Sequence, residues 1–312
     1  MSERIIDLSD EPARLCVRTG NLVIERRDRP EVFVPLREVG VVVLSNPQIS
    51  ITHAVVSELA RAGGILVSCD ARRLPVAMLM PLEANYVQTE RMGRQIGASL
   101  PIKKRLWKDL VAAKVRSQAA ALVALHGDDG GLAALAPLVR SGDPSNIEAR
   151  AASRYWPLVF CSPDYRRDRD AADSNRFLNY GYAVLRAIIT RALCAAGLHP
   201  SIGIHHKNRY NAFALADDVM EPFRAIVDVQ VVELCRTIGA DAELDKHVKA
   251  EIIGGLMGRF SVAGERRTLF DIAGRTAASI NAIFARESDS LALPNFKTLF
   301  NNAATEAPAE LN

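Results

Sequence analysis

The sequence predicts an α+β protein in which a small N-terminal β-rich domain precedes a larger, all-helical domain. Residues 1 to about 82 contain short apolar runs separated by turn residues, a pattern typical of strands. From Tyr86 onward such runs nearly vanish, and apolar residues recur with helical spacing. Hydrophobic residues make up 49% of the 312 positions and charged residues 24%, which is the composition of a globular protein.

The first part of the chain predicts a hairpin and a short run of further strands around one helix. Thr19-Gly20-Asn21 separates two apolar runs, which is a compact hairpin signal. Gly63-Gly64 ends a helix that Ser50 or Thr52 can cap. The predicted strands are 14–18, 22–26, 32–36, 39–44, 65–69 and 75–79, and the predicted helix is 52–62.

The change in pattern also predicts where the chain divides. We predict a β-rich scaffold or dimerisation domain at 1–85 and a linker or linking helix at 86–98. The larger helical domain follows at 99–304, and 305–312 has the composition of a disordered tail.

Within the helical part, capping signals and periodicity predict the elements. Asp143-Pro144 predicts a helix start, with Asp143 as the N-cap residue and Pro144 in the first helical position. A wide apolar stripe predicts a long helix at 175–196. Further helices are predicted at about 245–257 and 265–286, and a polar, arginine-rich loop is predicted at 162–172.

One helix-and-loop unit, 203–224, concentrates chemically active side chains. His205 and His206 are adjacent, and Asp217, Asp218 and Glu221 follow on a predicted helix at spacings that share a face. Pro222 should kink this helix, since it lacks an N–H and its ring clashes with the preceding turn. Imidazole and carboxylate together suit Mg²⁺ or Mn²⁺, although an acidic surface and a histidine loop would give the same pattern. Asp228 is interpreted as a partner of Arg224.

A basic window lies between residues 91 and 116. The window contains a single acid, Asp109, so its cations are in large excess. Such an excess is typical of a phosphate-binding surface and also of a solubilising helix face. Trp107 within the window is compatible with a core position or with stacking on a base. The cations are Arg91, Arg94, Lys103, Lys104, Arg105, Lys108, Lys114 and Arg116.

Cysteine usage and charge exclude several classes of protein. The five cysteines form no C-x-x-C pair, which argues against a zinc ribbon or a redox motif and favours reduced thiols. The net charge of +3 is modest, so a nucleic-acid surface has to come from local clustering. No apolar run has the length of a membrane span, and the N-terminus lacks a signal-peptide pattern, so we expect a cytoplasmic protein.

Three segments of the chain carry distinctive motifs. They are Glu148-Ala149-Arg150-Ala151-Ala152 with Tyr155-Trp156, then Asn179-Tyr180-Gly181-Tyr182-Ala183-Val184-Leu185, then Gly203-Ile204-His205-His206 through Leu215-Ala216-Asp217-Asp218-Val219-Met220-Glu221-Pro222-Phe223-Arg224 and Asp228. In this order they resemble the CRISPR-associated integrase, the metal-dependent DNA endonuclease and integrase of spacer acquisition, most closely its type II branch. Lys114-Val115-Arg116-Ser117-Gln118 also resembles that family's lysine-and-glutamine helix.

The resemblance implies the roles of particular residues. Glu148, His206 and Glu221 would be the catalytic residues and the ligands of a Mg²⁺ or Mn²⁺ ion. Asp218 and His205 would support the site, and the family's G-x-x-H step favours His206 over His205 as the ligand. The DNA backbone would contact the basic window at Arg91, Arg94, Lys103, Lys104, Arg105 and Lys108.

The resemblance also implies a reaction and partners. A 3′-hydroxyl of a captured double-stranded DNA fragment would attack the end of a CRISPR repeat by transesterification. Two such reactions need two active sites, as in homodimers bridged by a small second adaptation protein. A non-catalytic DNA-binding scaffold of the same fold is an alternative. A Mg²⁺-dependent isoprenoid synthase is a remote one, because Asp217 to Glu221 spells D-D-x-x-E but no second metal box follows.

Overall fold

The structure is a computed structural model that describes residues 3–70, 75–82, 84–171, 173–206, 208–262 and 264–300. It confirms the predicted fold class, because a β-rich N-terminal part is followed by a larger helical part. Among these described residues, no helix is both long and apolar enough to cross a membrane. The predicted tail at 305–312 lies outside the described residues.

The N-terminal part follows the predicted order closely and adds two strands. The first strand and the short sixth one were not predicted; in the first, polar and apolar residues are mixed and no turn signal precedes it. The elements are β1 Arg4–Leu8, β2 Arg14–Arg18, β3 Asn21–Glu25, β4 Val32–Pro35, β5 Val39–Leu44, β6 Ser50–Ile51, α1 His53–Arg61, β7 Ile65–Cys69 and β8 Pro75–Leu79.

Within the described residues these strands form two four-stranded sheets. In the first sheet, of order β1-β5-β7-β8, β5 pairs in parallel with both β1 and β7, and β8 pairs antiparallel with β7. In the second, of order β4-β3-β2-β6, the predicted β2–β3 hairpin pairs Arg18 with Asn21 next to its turn. Together with α1 the two sheets enclose an aliphatic core.

Strand β5 connects this core to the helical part because its two faces are buried differently. Val42 packs in the core between the sheets, whereas Val41 and Val43 pack in the core of the helical part. Residues along a strand alternate between faces, and a strand covered on both faces has a continuous apolar sequence. The run Val39–Leu44 therefore places the first sheet against the helices, chiefly the long helix Asn175–Ala195.

The remaining elements are helical apart from one hairpin. The predicted linker at 86–98 contains a helix, and the domain boundaries themselves stay predictions. The elements are α2 Gln88–Ile96, α3 Leu100–His126, α4 Ile147–Val159, α5 Asn175–Ala195, α6 Ala214–Met220, α7 Arg224–Ile238, α8 Lys246–Leu256, β9 Arg259–Val262, β10 Glu265–Thr268, α9 Leu269–Phe284 and α10 Phe296–Phe300, with 3₁₀ turns at Leu36–Glu38, Ala136–Leu138 and Glu221–Phe223.

Helix α3 is the central element of the helical part. Pro101 lies in its first turn, where a missing N–H costs nothing, and Gly127 ends it in the left-handed conformation with φ 78°. Its buried side includes Trp107, Leu110, Val111 and Gln118. It packs against α4, α7 and the 3₁₀ turn at Glu221–Phe223, so it contacts the elements that carry both predicted glutamate ligands.

Two sequence predictions about element boundaries are wrong. Asp143 does not begin a helix, because Gly142 and Asp143 both have positive φ and α4 starts only at Ile147. The Asp143 carboxylate still caps this helix, since it accepts the backbone N–H groups of Ile147 and Glu148, both at 3.0 Å.

The second error concerns the segment 265–286, which was predicted to be helical throughout. Glu265–Thr268 is a strand that pairs antiparallel with Arg259–Val262, and the helix begins at Leu269. The hydroxyl of Thr268 accepts the N–H of Asp271 and so caps the helix at that point. The hairpin interrupts an otherwise helical region.

Candidate active site

The predicted ligands lie on three elements that surround α3. Glu148 is in the first turn of α4, Glu221 is in the 3₁₀ turn between α6 and α7, and His206 is in the loop before α6. Pro222 interrupts the α6–α7 helix as predicted, and Glu221, which lies in the turn at this interruption, contacts Lys114 of α3.

Lys114, in the middle of α3, joins the two glutamates. Its Nζ atom is 2.7 Å from Glu148 Oε1 and 2.6 Å from Glu221 Oε2. The side chains of Lys114, Glu148 and Glu221 are 13%, 25% and 7% exposed, so the cluster is largely withdrawn from water. The second contact is an ion pair, and the buried Glu221 Oε2 accepts no hydrogen bond from another described residue.

Arg224 supplies a second cation to Glu221. Its Nε–H donates to Glu221 Oε1 at 2.9 Å, and its guanidinium lies over the ring of Tyr182, 4.6 Å from the ring centre. Burial alone would raise the pKa of Glu221, but the charges of Arg224 and Lys114 outweigh it and lower the pKa to about 2. Burial opposes the charge of Lys114 as well, yet the two glutamates raise its pKa. Glu221 and Lys114 therefore both stay ionised at neutral pH.

The histidine loop is held by Asp218. The fully buried Asp218 carboxylate accepts the backbone N–H groups of Ile204, His205 and His206 at 2.6, 2.9 and 3.2 Å. It also accepts the Nδ1–H of His206 at 2.6 Å, since a carboxylate oxygen is the acceptor of the pair. This hydrogen bond raises the pKa of His206 against the opposing effect of burial. The arrangement leaves Nε2 of His206 as the nitrogen available to a ligand.

Trp107 supports the same loop from α3. Its indole stacks on His205 with ring centres 4.1 Å apart and an interplanar angle of 3°, and His206 contacts its edge at 5.8 Å. Trp107 is 2% exposed, so it is a core residue rather than a stacking platform for a base. His205 is exposed on its other side.

The three carboxylates of the predicted acidic helix contact different partners. Asp217 pairs with Arg186 at 2.7 Å and accepts the side-chain amide of Asn211 at 2.8 Å. Asp218 contacts the histidine loop and Glu221 contacts α3.

The predicted Asp228–Arg224 pair is also wrong. Asp228 is buried and accepts hydrogen bonds from the hydroxyls of Tyr155, at 2.9 Å, and Tyr182. Burial raises the pKa of Asp228 to about 6, although both tyrosine hydroxyls and the more distant Arg224 oppose this shift. The sequence analysis missed this network because the tyrosines reach Asp228 from α4 and α5.

No group of three or more His, Cys, Asp or Glu side chains among the described residues is arranged to hold a metal ion as it stands. The donor types nevertheless fit a hard divalent cation, and the two glutamate oxygens already converge on one cation, Lys114 Nζ. Trp107 and Lys114 are seven residues apart on α3, about 10 Å along its axis. The histidine and glutamate parts of the site therefore lie along one face of the same helix.

The six predicted DNA-binding cations do not all have free side chains. Arg91 donates to the backbone oxygen of Ala196, Arg94 pairs with Glu90 and Glu287, and Arg105 pairs with Asp289 at 2.6 Å. Lys103, Lys104 and Lys108 form no ion pair with another described residue. Lys103 and Arg209 line a cleft of 780 Å³ whose wall includes His206.

Gln95 has a structural role that the sequence analysis missed. It lies in α2, within the predicted linker, and is fully buried. Its side-chain amide donates to the backbone oxygens of His199 and Ile202, both at 2.9 Å, and its oxygen accepts the N–H of His199 at 2.8 Å. It fixes the start of the histidine loop. A glutamine in a polar helix gives no sequence signal for this role.

Comparisons with known proteins identify the family. A model of the CRISPR associated protein Cas1 family matches residues 7–247. The CRISPR-associated endonuclease Cas1 of Neisseria meningitidis serogroup C is 32% identical over 289 residues, covering 92% of this chain and 94% of the relative. A CRISPR-associated endonuclease Cas1 of Pyrobaculum aerophilum is 28% identical over 266 residues, covering 81% of this chain and 90% of the relative.

Solved structures have the same fold. A casposase bound to its integration product matches with a TM-score of 0.76 over 99% of this chain and 96% of the casposase, at 18% identity. A chain of a Cas6-RT-Cas1–Cas2 complex matches with a TM-score of 0.73 over 94% of this chain and 36% of that chain, also at 18% identity. The relatives are endonucleases of CRISPR systems. This chain belongs to the Cas1 family.

Proposed function

We propose that this chain is a metal-dependent DNA integrase and endonuclease of CRISPR adaptation. It joins the 3′-hydroxyl ends of captured DNA to the ends of a CRISPR repeat by transesterification. The observation that carries the proposal is the convergence of two carboxylates, Glu148 and Glu221, on a single cation position in a chain of the Cas1 family. Family membership favours neither the isoprenoid synthase nor the non-catalytic scaffold.

The proposed ligands of a Mg²⁺ or Mn²⁺ ion are Glu148, His206 and Glu221. Both ions take oxygen and imidazole ligands, and the donor set does not choose between them. When bound, such an ion polarises a phosphodiester and stabilises the charge that develops on it. Asp218 fixes the imidazole of His206 with Nε2 free, and Arg224 orients Glu221.

The cleft beside His206 is the proposed path of the reacting DNA end. Lys103 and Arg209 lie on its wall, and Lys104 and Lys108 follow Lys103 along α3. The ion pair of Arg105 with Asp289 is solvent-exposed, with side chains 42% and 86% exposed, so a phosphate can replace the acid at little cost. Arg91 and Arg94 belong to the same proposed surface. Positioning by such contacts carries much of the rate of a phosphoryl transfer.

The proposed partners follow from the two-strand reaction. Captured double-stranded DNA and the CRISPR repeat are the substrates, and two reactions on opposite strands require two active sites. We therefore propose a homodimer, with a small second adaptation protein bridging two dimers in the cytoplasm. Similar solved structures include a Cas1–Cas2 complex and a DNA complex of TtCas1, the latter with a TM-score of 0.53.

Strand transfer on a branched DNA that mimics the integration product tests the proposal. The purified protein is assayed with and without Mn²⁺, beside His206→Ala and a control, His247→Ala, which changes an exposed histidine in α8. We expect metal-dependent joining that is lost in His206→Ala and kept in His247→Ala. Joining by His206→Ala at the wild-type rate contradicts the ligand assignment. DNA binding without joining in any condition favours the scaffold or a requirement for the partner protein.

The DNA path has its own test. Lys103→Ala combined with Lys104→Ala should weaken DNA binding and reduce the slope of log affinity against log salt by up to about 2, because each lost phosphate contact contributes roughly 0.9. Lys246→Ala, which changes an exposed lysine of α8, is the control. An unchanged slope in the double variant removes these lysines from the DNA path.

A further inference from the structure

The charges around Glu148 and Glu221 are balanced by side chains alone. Lys114 contacts both carboxylates, and Arg224 contacts Glu221, so two cations face two anions. A divalent cation added to this cluster as it stands would meet two positive charges at close range, where attraction and repulsion are strong because the dielectric constant is low. One of the two cations has to leave for a metal ion to bind.

The two cations differ in how firmly they are held. Arg224 is fixed by its hydrogen bond to Glu221 and by the ring of Tyr182 beneath its guanidinium. Lys114 carries a compact charge on a flexible four-carbon stem, and its contacts here are with the two glutamates. Its contact with Glu221 Oε2 is an ion pair without a hydrogen bond. Lys114 is therefore the cation that can be displaced.

We propose that Lys114 is an internal counter-cation of the metal site: it holds Glu148 and Glu221 together in the metal-free protein, and a divalent metal ion displaces it. The inference rests on the proposed function, since it takes these glutamates as ligands. It accounts for two observations together. The carboxylates of α4 and the 3₁₀ turn converge on one point, yet the part of the chain that the structure describes assembles no three-ligand group while the ammonium occupies that point.

The counter-cation has two opposing effects. It keeps the buried Glu221 carboxylate and the partly buried Glu148 carboxylate close without metal, where their repulsion would otherwise destabilise the fold. It also competes with the metal ion, so the wild-type affinity for metal is lower than the glutamates alone would give. Replacing Lys114 by a neutral residue of similar length should therefore lower the stability of the metal-free protein and raise its affinity for metal.

Mn²⁺ binding to the full chain, measured by isothermal titration calorimetry without DNA, tests the inference. The proteins are the wild type, Lys114→Met and the control Lys246→Met, which changes an exposed lysine of α8. We expect Lys114→Met to bind Mn²⁺ about tenfold more tightly than the wild type, in the usual range of coupling between two binding events. The melting temperature of Lys114→Met in EDTA should fall below that of the wild type. Mn²⁺ should raise the melting temperature of Lys114→Met by more than it raises that of the wild type. Lys246→Met should match the wild type.

Equal or weaker Mn²⁺ binding by Lys114→Met overturns the counter-cation role while leaving the metal site itself intact. No Mn²⁺ binding by either protein overturns both this inference and the proposed metal dependence. A second measurement on the wild type covers the case in which Lys114→Met fails to fold. Amine-reactive labelling of Lys114, read by mass spectrometry, should increase when Mn²⁺ is added, whereas labelling of Lys246 stays constant. Unchanged labelling of Lys114 despite bound Mn²⁺ overturns the inference.

Discussion

The two parts of the molecule each contain a Glu–Arg pair at the same i,i+3 spacing, and the two pairs differ in burial. In α1 of the N-terminal part, Arg61 Nη1 is 2.6 Å from Glu58 Oε1, with side chains 75% and 41% exposed. At the start of α7, Arg224 Nε is 2.9 Å from Glu221 Oε1, with side chains 23% and 7% exposed. Water screens the first pair almost completely, whereas removal of one member leaves a buried charge in the second.

The same contrast holds for the two cores. Among the described residues before Leu82, Ser9 is the buried polar side chain, and the core of the sheets is aliphatic. The helical part buries Asp218, Glu221, Asp228 and Lys249. Burying charges weakens a fold unless each one is paired, so such groups concentrate where chemistry needs them. Among the described residues, the N-terminal part therefore has an aliphatic core, whereas the buried charged side chains lie in the helical part.

The sharpest test of this contrast is Glu221→Ala in metal-free buffer. The change leaves Arg224 buried without its acid and removes one of the two partners of Lys114. We expect a loss of about 3–5 kcal/mol in the free energy of unfolding, measured by urea titration. Glu148→Ala, which removes the more exposed glutamate, should cost less. A loss under about 1 kcal/mol for Glu221→Ala would mean that the Glu221–Arg224 pair contributes no more than an exposed pair, which would contradict the proposed difference between the two pairs.

A second test addresses packing in the helical part rather than its charge. Gly181 lies where α5 crosses α7, and a Cβ atom there would be 2.4 Å from Val227 Cγ1. Gly181→Ala should therefore cost about 1–3 kcal/mol of unfolding free energy through overpacking. Gly274→Ala in α9 is the matched control, since a Cβ atom there meets no neighbour within 4 Å and should stabilise the helix slightly. Equal effects of the two changes would show that the crossing is not tight.

A third test uses the pKa of Asp228. Its value of about 6 exceeds the usual 3.8, so the folded chain holds an extra proton between about pH 4 and pH 6. The wild type should therefore gain stability relative to Asp228→Asn as the pH falls, by about 1 kcal/mol from pH 7 to pH 5. The measurement is the difference in unfolding free energy between the two proteins at each pH. A difference independent of pH would mean that Asp228 ionises in its buried position as it does in the unfolded chain.

The smallest effect is expected in the N-terminal part. Glu58→Ala removes an exposed acid, and the loss should lie between about 0 and 1 kcal/mol and shrink further in 1 M salt. Urea titration with and without salt measures it. A loss comparable to that of Glu221→Ala would show that burial is not what separates the two pairs.

Much of the fold could be predicted because its signals are local. Val39–Leu44, Ile65–Cys69 and the hairpin around Gly20 form strands where apolar runs and turn residues predicted them. Pro222 interrupts its helix because a missing N–H and a ring clash act within one turn. The predictions for Asp143 and for 265–268 were wrong because helix competed there with another backbone conformation. Asp143 takes a positive φ angle instead, and 265–268 pairs as a strand.

The sequence by itself determined the fold class, the helix break at Pro222 and the kinds of side chain available to the site. Only the tertiary structure decided which of them meet. Lys114 reaches a glutamate 34 positions away, and Asp228 meets tyrosines of two other helices rather than Arg224. Such contacts depend on how α3, α4, α5 and the 3₁₀ turn pack together. Local spacing places residues on a helix face but does not say which neighbouring element that face meets.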